Sequence, residues 1–89
     1  MRVEPQPTTV RRLVIARFQE FGATPQSLFG MEEKILIGRD GYAARTYRLG
    51  RLMAMWLVGV GIVQFYDADG NMLATVNLLE ELTPQRAAA

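Results

Sequence analysis

The fold of this chain is decided by residues 52–76, which read LMAMWLVGVGIVQFYDADGNMLATV. Mostly apolar runs of five to seven residues are separated here by Gly59-Val60-Gly61 and by Asp67-Ala68-Asp69-Gly70. Clusters of glycine and aspartate between short apolar runs are typical of tight turns between strands. The stretch therefore predicts three strands, at Leu52–Val58, Ile62–Tyr66 and Met72–Val76.

Two further strands are predicted upstream. The first begins at Glu33, an Asp40-Gly41 hairpin turn follows, and the second runs from Tyr42 to Leu49, where Gly50-Arg51 turns the chain again. Connections this short cannot make parallel crossovers, which need about a dozen residues or more. The pattern therefore predicts an antiparallel β-meander of about five strands.

An N-terminal helix precedes the strands. Thr8 or Thr9 is a candidate N-cap, the helix is expected to run to about Phe21, and Gly22 supplies the residue that commonly ends helices. Apolar residues at helical spacing would share one face and cover the sheet. These residues are Val10, Leu13, Val14, Phe18 and Phe21.

Two shorter helical turns are expected. Thr24-Pro25 favours one after the first helix, with Leu28 and Phe29 packed back on the core. Asn77 favours another at Leu78–Leu82. The fold class is therefore α+β.

The chain is expected to be one domain. Its 89 residues are enough for a single small domain, which we place at residues 8–83, between a flexible lead-in at 1–7 and a flexible tail at 84–89.

Composition argues against most enzymes. The chain has no cysteine and no histidine, which removes thiol nucleophiles and the commonest general base and metal ligand. The interpretation is a non-enzymatic protein with no cofactor, metal site or small-molecule substrate. The cysteine-free chain suits the reducing cytoplasm, and the most apolar run, Leu52–Val63, is too short to span a membrane.

The third strand indicates a protein partner. Residues Leu52–Val58 are apolar on both sides of the strand, whereas a single helix can cover only one face of the sheet. A second chain, most simply another copy of this one, or curvature of the sheet would have to cover the other face. The expected partner surface comprises Ile15, Met53, Met55 and Trp56, or the edge of the sheet.

The second strand carries the alternative, a surface for nucleic acid or another anion. Arginine binds phosphates and aromatic rings stack on bases, although strand alternation divides these residues between two faces. An exposed strand kept soluble by arginine would have the same pattern. The residues concerned are Arg39, Tyr42, Arg45, Tyr47, Arg48 and Arg51.

The remaining charged residues favour structural roles. Arg17 interrupts the apolar stripe of the helix, so we expect a structural ion pair. Asp67 and Asp69 fit hairpin-turn chemistry better than a calcium loop, and the Glu32-Glu33 pair is expected to be a solvated strand end. Residues 39–51 carry about three net positive charges and residues 67–89 about three net negative ones, which suits docking between copies or pairing within one chain.

Overall fold

A computed structural model describes residues 6–39 and 43–82. Within these residues, two α-helices and five strands follow one another, with a short 3-10 helix at Ser27–Gly30 between the first helix and the first strand. The helices and strands are α1 (Pro7–Glu20), β1 (Glu32–Ile37), β2 (Ala43–Leu49), β3 (Leu52–Leu57), β4 (Ile62–Tyr66), β5 (Met72–Asn77) and α2 (Leu78–Leu82).

The five strands form one antiparallel sheet in the order β1-β2-β3-β4-β5. Each strand pairs with its neighbour in sequence, as short turns require. The predicted α+β fold, with an N-terminal helix, a five-stranded meander and a short C-terminal helical turn, is confirmed.

The start of α1 differs from the prediction. Gln6 is the N-cap and makes no side-chain capping bond, and Pro7 opens the helix in place of Thr8 or Thr9. Proline is well suited to this position because its φ angle is already helical and its missing N–H would have had no partner there. The helix therefore includes the last residue of the expected lead-in.

The end of α1 follows the prediction. Gly22 has φ of 105°, and its N–H donates to the Gln19 carbonyl at 3.0 Å. The Ala23 N–H reaches back to the Phe18 carbonyl at 2.9 Å, which completes a Schellman motif. At the other end of the chain, the Asn77 side chain caps α2 by accepting the Leu79 N–H at 3.0 Å, also as predicted.

The core lies between α1 and one face of the sheet. Val10, Val14 and Phe18 are buried at helical spacing, and Phe18 contacts Phe65 edge to face, with ring centroids 5.8 Å apart. The sheet contributes one face of alternating residues to this cluster. Those buried side chains are Tyr47, Leu49, Ala54, Trp56, Val63, Phe65 and Val76.

One further expectation is wrong, and several others concern residues that the structure does not describe. Phe29 is 93% exposed and not packed on the core, because the 3-10 helix directs it outward. The expected Asp40-Gly41 turn, Tyr42, and most of the expected lead-in and tail lie outside the described residues. In the described part of the chain, neither helix has the length and apolar content needed to cross a membrane.

Candidate interaction surface

The strand register divides the sheet into two faces with different surroundings. Arg45, Trp56 and Val63 lie opposite one another across β2, β3 and β4 on the face toward α1. Residues one position along each strand point the other way. We call this second surface the outer face. It comprises Glu32, Lys34, Leu36, Ala44, Thr46, Arg48, Met53, Met55, Leu57, Ile62, Gln64, Tyr66, Met72, Thr75 and Asn77.

The outer face has an apolar centre that the described chain does not cover. On β3 and β4, the outer-face residues Met53, Met55, Leu57, Ile62 and Tyr66 are partly exposed. The helix-side residues Ala54, Trp56, Val63 and Phe65, which alternate with them, are buried. No outer-face residue belongs to the core cluster formed by the described residues. Contiguous exposed apolar surface of this kind is typical of interaction sites.

The predicted partner residues divide between the two faces. Met53 and Met55 lie on the outer face, as a partner surface requires. Trp56 is only 3% exposed and belongs to the core, so its assignment to the partner surface is wrong. Ile15 lies on α1, on the other layer of the fold, and is partly exposed. The four residues therefore do not form one surface.

The predicted arginine–tyrosine surface is also divided. Tyr47 is fully buried in the core and cannot stack on a base, because its strand position points toward α1. Arg45 shares that face, where it is held by Glu33 and lies 5.9 Å from the centroid of the Trp56 ring. Tyr42 lies outside the described residues.

The remaining arginines are exposed. Arg39, Arg48 and Arg51 form no ion pair with any described carboxylate. Arg48 and Arg51 line an open groove of about 590 Å³ at one end of the outer face, beside Tyr66. Two guanidinium groups next to an aromatic ring can hold a planar anion, although the carboxylate of Asp67 also lines the groove and opposes a bound negative charge. The sequence pattern did not predict that Tyr66 contributes to this groove. Tyr66 lies 15 or more residues from the arginines along the chain, and only the strand register brings it beside them.

A charged network lies beside Tyr47. One oxygen of Glu33 accepts a hydrogen bond from Arg11 at 2.8 Å, and the other accepts one from Arg45 at 2.9 Å. Glu33 therefore ties α1, β1 and β2 together and is not the solvated strand end that its sequence position suggested. Burial, with a further contribution from Glu33, raises the pKa of Tyr47 from 10.0 to about 12, although Arg45 and Arg11 oppose the rise.

The hydroxyl of Tyr47 is buried without a hydrogen-bond partner among the described residues. We therefore expect Tyr47→Phe to leave the free energy of unfolding unchanged or to raise it by up to about 1 kcal/mol. As a control, Tyr66→Phe removes a hydroxyl that donates to Gln64 at 2.8 Å and should cost about 0.5–1 kcal/mol. Urea denaturation measures both changes.

The same substitution has a pH signature. Since the pKa of Tyr47 is raised on folding, its contribution to stability is complete below pH 10 and is lost as the pH rises toward 12. Tyr47→Phe should lose less stability than the wild type over that range. If the wild type and Tyr47→Phe lose stability equally above pH 10, the phenol of Tyr47 is not buried in the folded protein.

The other charged residues have structural partners. Arg17 forms ion pairs with Glu20 and Glu81, as predicted for a charge in the apolar stripe. Asp67 accepts the backbone N–H groups of Asn71 and Asp69, each at 2.9 Å, and the bond from Asn71 is the main cause that lowers its pKa. The described residues include no cluster of carboxylates that could hold a metal ion.

Leu57, Ile62 and Tyr66 were missed as members of the candidate surface. For Ile62 and Tyr66 the signal was present in β4, where they alternate with Val63 and Phe65, whereas Leu57 lies on the uniformly apolar β3 and had no such signal. Comparisons of this chain with models of protein families, with curated proteins and with solved structures find no match.

Proposed function

We propose that this protein is a small non-enzymatic protein–protein interaction module that self-associates through the outer face of its sheet. The observation that carries the proposal is the partly exposed apolar centre formed by Met53, Met55, Leu57 and Ile62. Covering it with a second sheet would remove this surface from water, at about 25 cal/mol for each Å² of apolar area. Methionine side chains adapt well to such contacts.

A second copy fits this face because the face complements itself. A two-fold axis along β3 lays β2 of one copy over β4 of the other, which brings Arg48 over Tyr66 and Thr46 over Gln64. The first pair can form a cation–π contact and the second a hydrogen bond. An axis across the strands through the row of Met55 would instead bring Lys34 against Lys34 of the second copy. Of these two arrangements, the charges favour the axis along β3.

The composition supports the rest of the proposal. The chain has neither histidine nor cysteine, so thiol and imidazole catalysis are unavailable to it. The absence of cysteine also suits the reducing environment in which we place the protein, the cytoplasm.

We expect Met55→Lys to shift the protein toward a monomer. It places a charge at the centre of the outer face, where a dry interface would bury it without a partner. The matched control is Val60→Lys, because Val60 is an exposed apolar residue in the turn between β3 and β4. Sedimentation equilibrium at several concentrations gives the mass of each variant. Equal masses for the wild type and Met55→Lys would contradict the proposal.

A second candidate function is binding of single-stranded nucleic acid, and the groove with Arg48, Arg51 and Tyr66 favours it. A phosphate would lie between the guanidinium groups while a base stacks on the tyrosine ring. Titration of a labelled oligonucleotide should then show affinity that falls steeply with salt and drops in an Arg48→Gln/Arg51→Gln variant. Failure to bind at low salt would exclude this candidate.

A further inference from the structure

The free edge of β1 is apolar and exposed in its second half. β1 is an outermost strand, and its last three residues are apolar and exposed: Ile35 by 56%, Leu36 by 48% and Ile37 by 78%. Ile35 and Ile37 lie on the helix side of the sheet but remain exposed, while Leu36 lies on the outer face. Apolar residues therefore flank this edge on both faces.

The two edges of the sheet differ in their protection. The β4–β5 ladder carries a register irregularity at Phe65/Tyr66, and such bulges discourage pairing with further strands. β1 pairs with β2 in continuous register. It has charges only in its first half, at Glu32, Glu33 and Lys34, and no proline. An edge of this kind is a ready template for another strand.

We propose that β1 pairs antiparallel with β1 of a second copy, with the two-fold axis at Leu36. The inference is independent of the outer-face contact, because strand pairing uses the backbone of the edge and not the face of the sheet. It would join two five-stranded sheets into one continuous sheet of about ten strands.

The register follows from hydrogen bonding and charge. In antiparallel pairing, two opposite residues are either both hydrogen-bonded to each other or both not. The two-fold axis must therefore lie between one residue and the same residue of the second copy. An axis at Leu36 places Ile35 opposite Ile37 of the second copy, which matches apolar with apolar. Glu33 falls opposite Arg39, which lies two residues beyond the end of β1, so these opposite charges meet where the pairing extends past the strand.

The neighbouring registers are worse. An axis at Ile35 sets Glu33 against Ile37 of the second copy, and an axis at Lys34 sets two lysines against each other. An axis at Ile37 leaves Ile35 opposite Arg39 and Leu36 opposite Gly38. Only the register through Leu36 pairs the whole apolar segment with itself.

The first test measures mass in a chain that carries Met55→Lys, so that the outer face does not contribute. We expect this chain still to dimerise at high concentration, toward about 20 kDa from the 10.0 kDa chain. Adding Leu36→Lys and Ile37→Lys should abolish that dimer, because two lysines would then lie opposite each other at the two-fold axis. A Met55→Lys chain that stays monomeric at every concentration would overturn the proposal.

A matched control adds lysines elsewhere on the same background. Val58→Lys with Val60→Lys changes two exposed apolar residues outside β1 and should leave the dimer intact. Loss of the dimer in this control would also overturn the proposal, because the effect would then not belong to the edge. The outer-face proposal is judged separately, by whether Met55→Lys alone lowers the wild-type mass.

The second test reads the register in the otherwise unchanged chain, which has no cysteine of its own. Opposite Cα atoms in antiparallel strands are about 4.5–5.5 Å apart, within the range that a disulfide bridges. Under mild oxidation, Leu36→Cys should cross-link to itself, and Ile35→Cys should cross-link to Ile37→Cys more than either links to itself. Val60→Cys measures random collision. If Leu36→Cys links no faster than Val60→Cys, the proposed pairing is wrong.

Discussion

Phe65→Ala is expected to lower the free energy of unfolding by about 3–5 kcal/mol. Phe65 is fully buried between α1 and the sheet, and its ring centroid lies 5.8 Å from those of Phe18 and Phe21. Removing the ring loses the free energy gained by transferring it out of water. It also leaves a cavity in the core that the surrounding side chains would have to fill. A domain of this size has a total stability of roughly 5–10 kcal/mol. The variant should therefore be only marginally folded at room temperature.

The chain offers a matched control in Phe29→Ala. Phe29 is 93% exposed, so the same substitution should change the free energy of unfolding by less than about 0.5 kcal/mol. Urea denaturation followed by circular dichroism compares the two variants. A cost below about 1 kcal/mol for Phe65→Ala, on a scale where large core truncations cost several, would show that the helix does not pack on the sheet in this way.

Glu33→Ala is expected to cost about 1–3 kcal/mol. Glu33 and Arg45 have side chains that are 18% and 24% exposed, so the loss of the carboxylate leaves a partly buried guanidinium without its counter-charge. The bond to Arg11 should contribute less, because Arg11 is 43% exposed and water screens it.

The neighbouring Glu32→Ala is the control for this prediction. Glu32 is exposed, lies on the outer face and forms no ion pair with any described residue. Thermal unfolding at two salt concentrations should show a cost for Glu33→Ala that persists in high salt and almost none for Glu32→Ala. Equal effects of the two substitutions would mean that Glu33 is an ordinary surface charge.

The order and type of the elements could be predicted from the sequence because turn residues mark nearly every boundary. Gly22 ends α1 and Asn77 caps α2 as expected. The predicted start of α1 was wrong because two helix-start signals lie side by side. The preset φ of Pro7 determined the first residue of the helix, and the hydroxyls of Thr8 and Thr9 did not.

The faces of the central strands could not be predicted with the same certainty. β3 is apolar at every position, so periodicity alone does not tell whether Trp56 or Met55 faces the helix. The pairing of Trp56 with Arg45 and Val63 places it on the helix side. Tyr47 was assigned to the surface for a related reason, since its aromatic ring suits both a core and a stacking site.

The charged network was beyond sequence reasoning for a different reason. Glu33 meets Arg45 and Arg11 across 12 and 22 residues of chain, and local spacing carries no information about such distances. Adjacent glutamates at a strand end usually remain in water. Glu33 differs from Glu32 because β1 directs it to the helix side of the sheet, where Arg45 and Arg11 lie.

The mass of the unmodified protein in solution, measured by sedimentation equilibrium over a wide concentration range, tests most directly whether this chain associates with further copies of itself. We expect an average mass that rises well above the 10.0 kDa of one chain at high concentration and falls toward that value on dilution. A mass that stays at one chain throughout would contradict it.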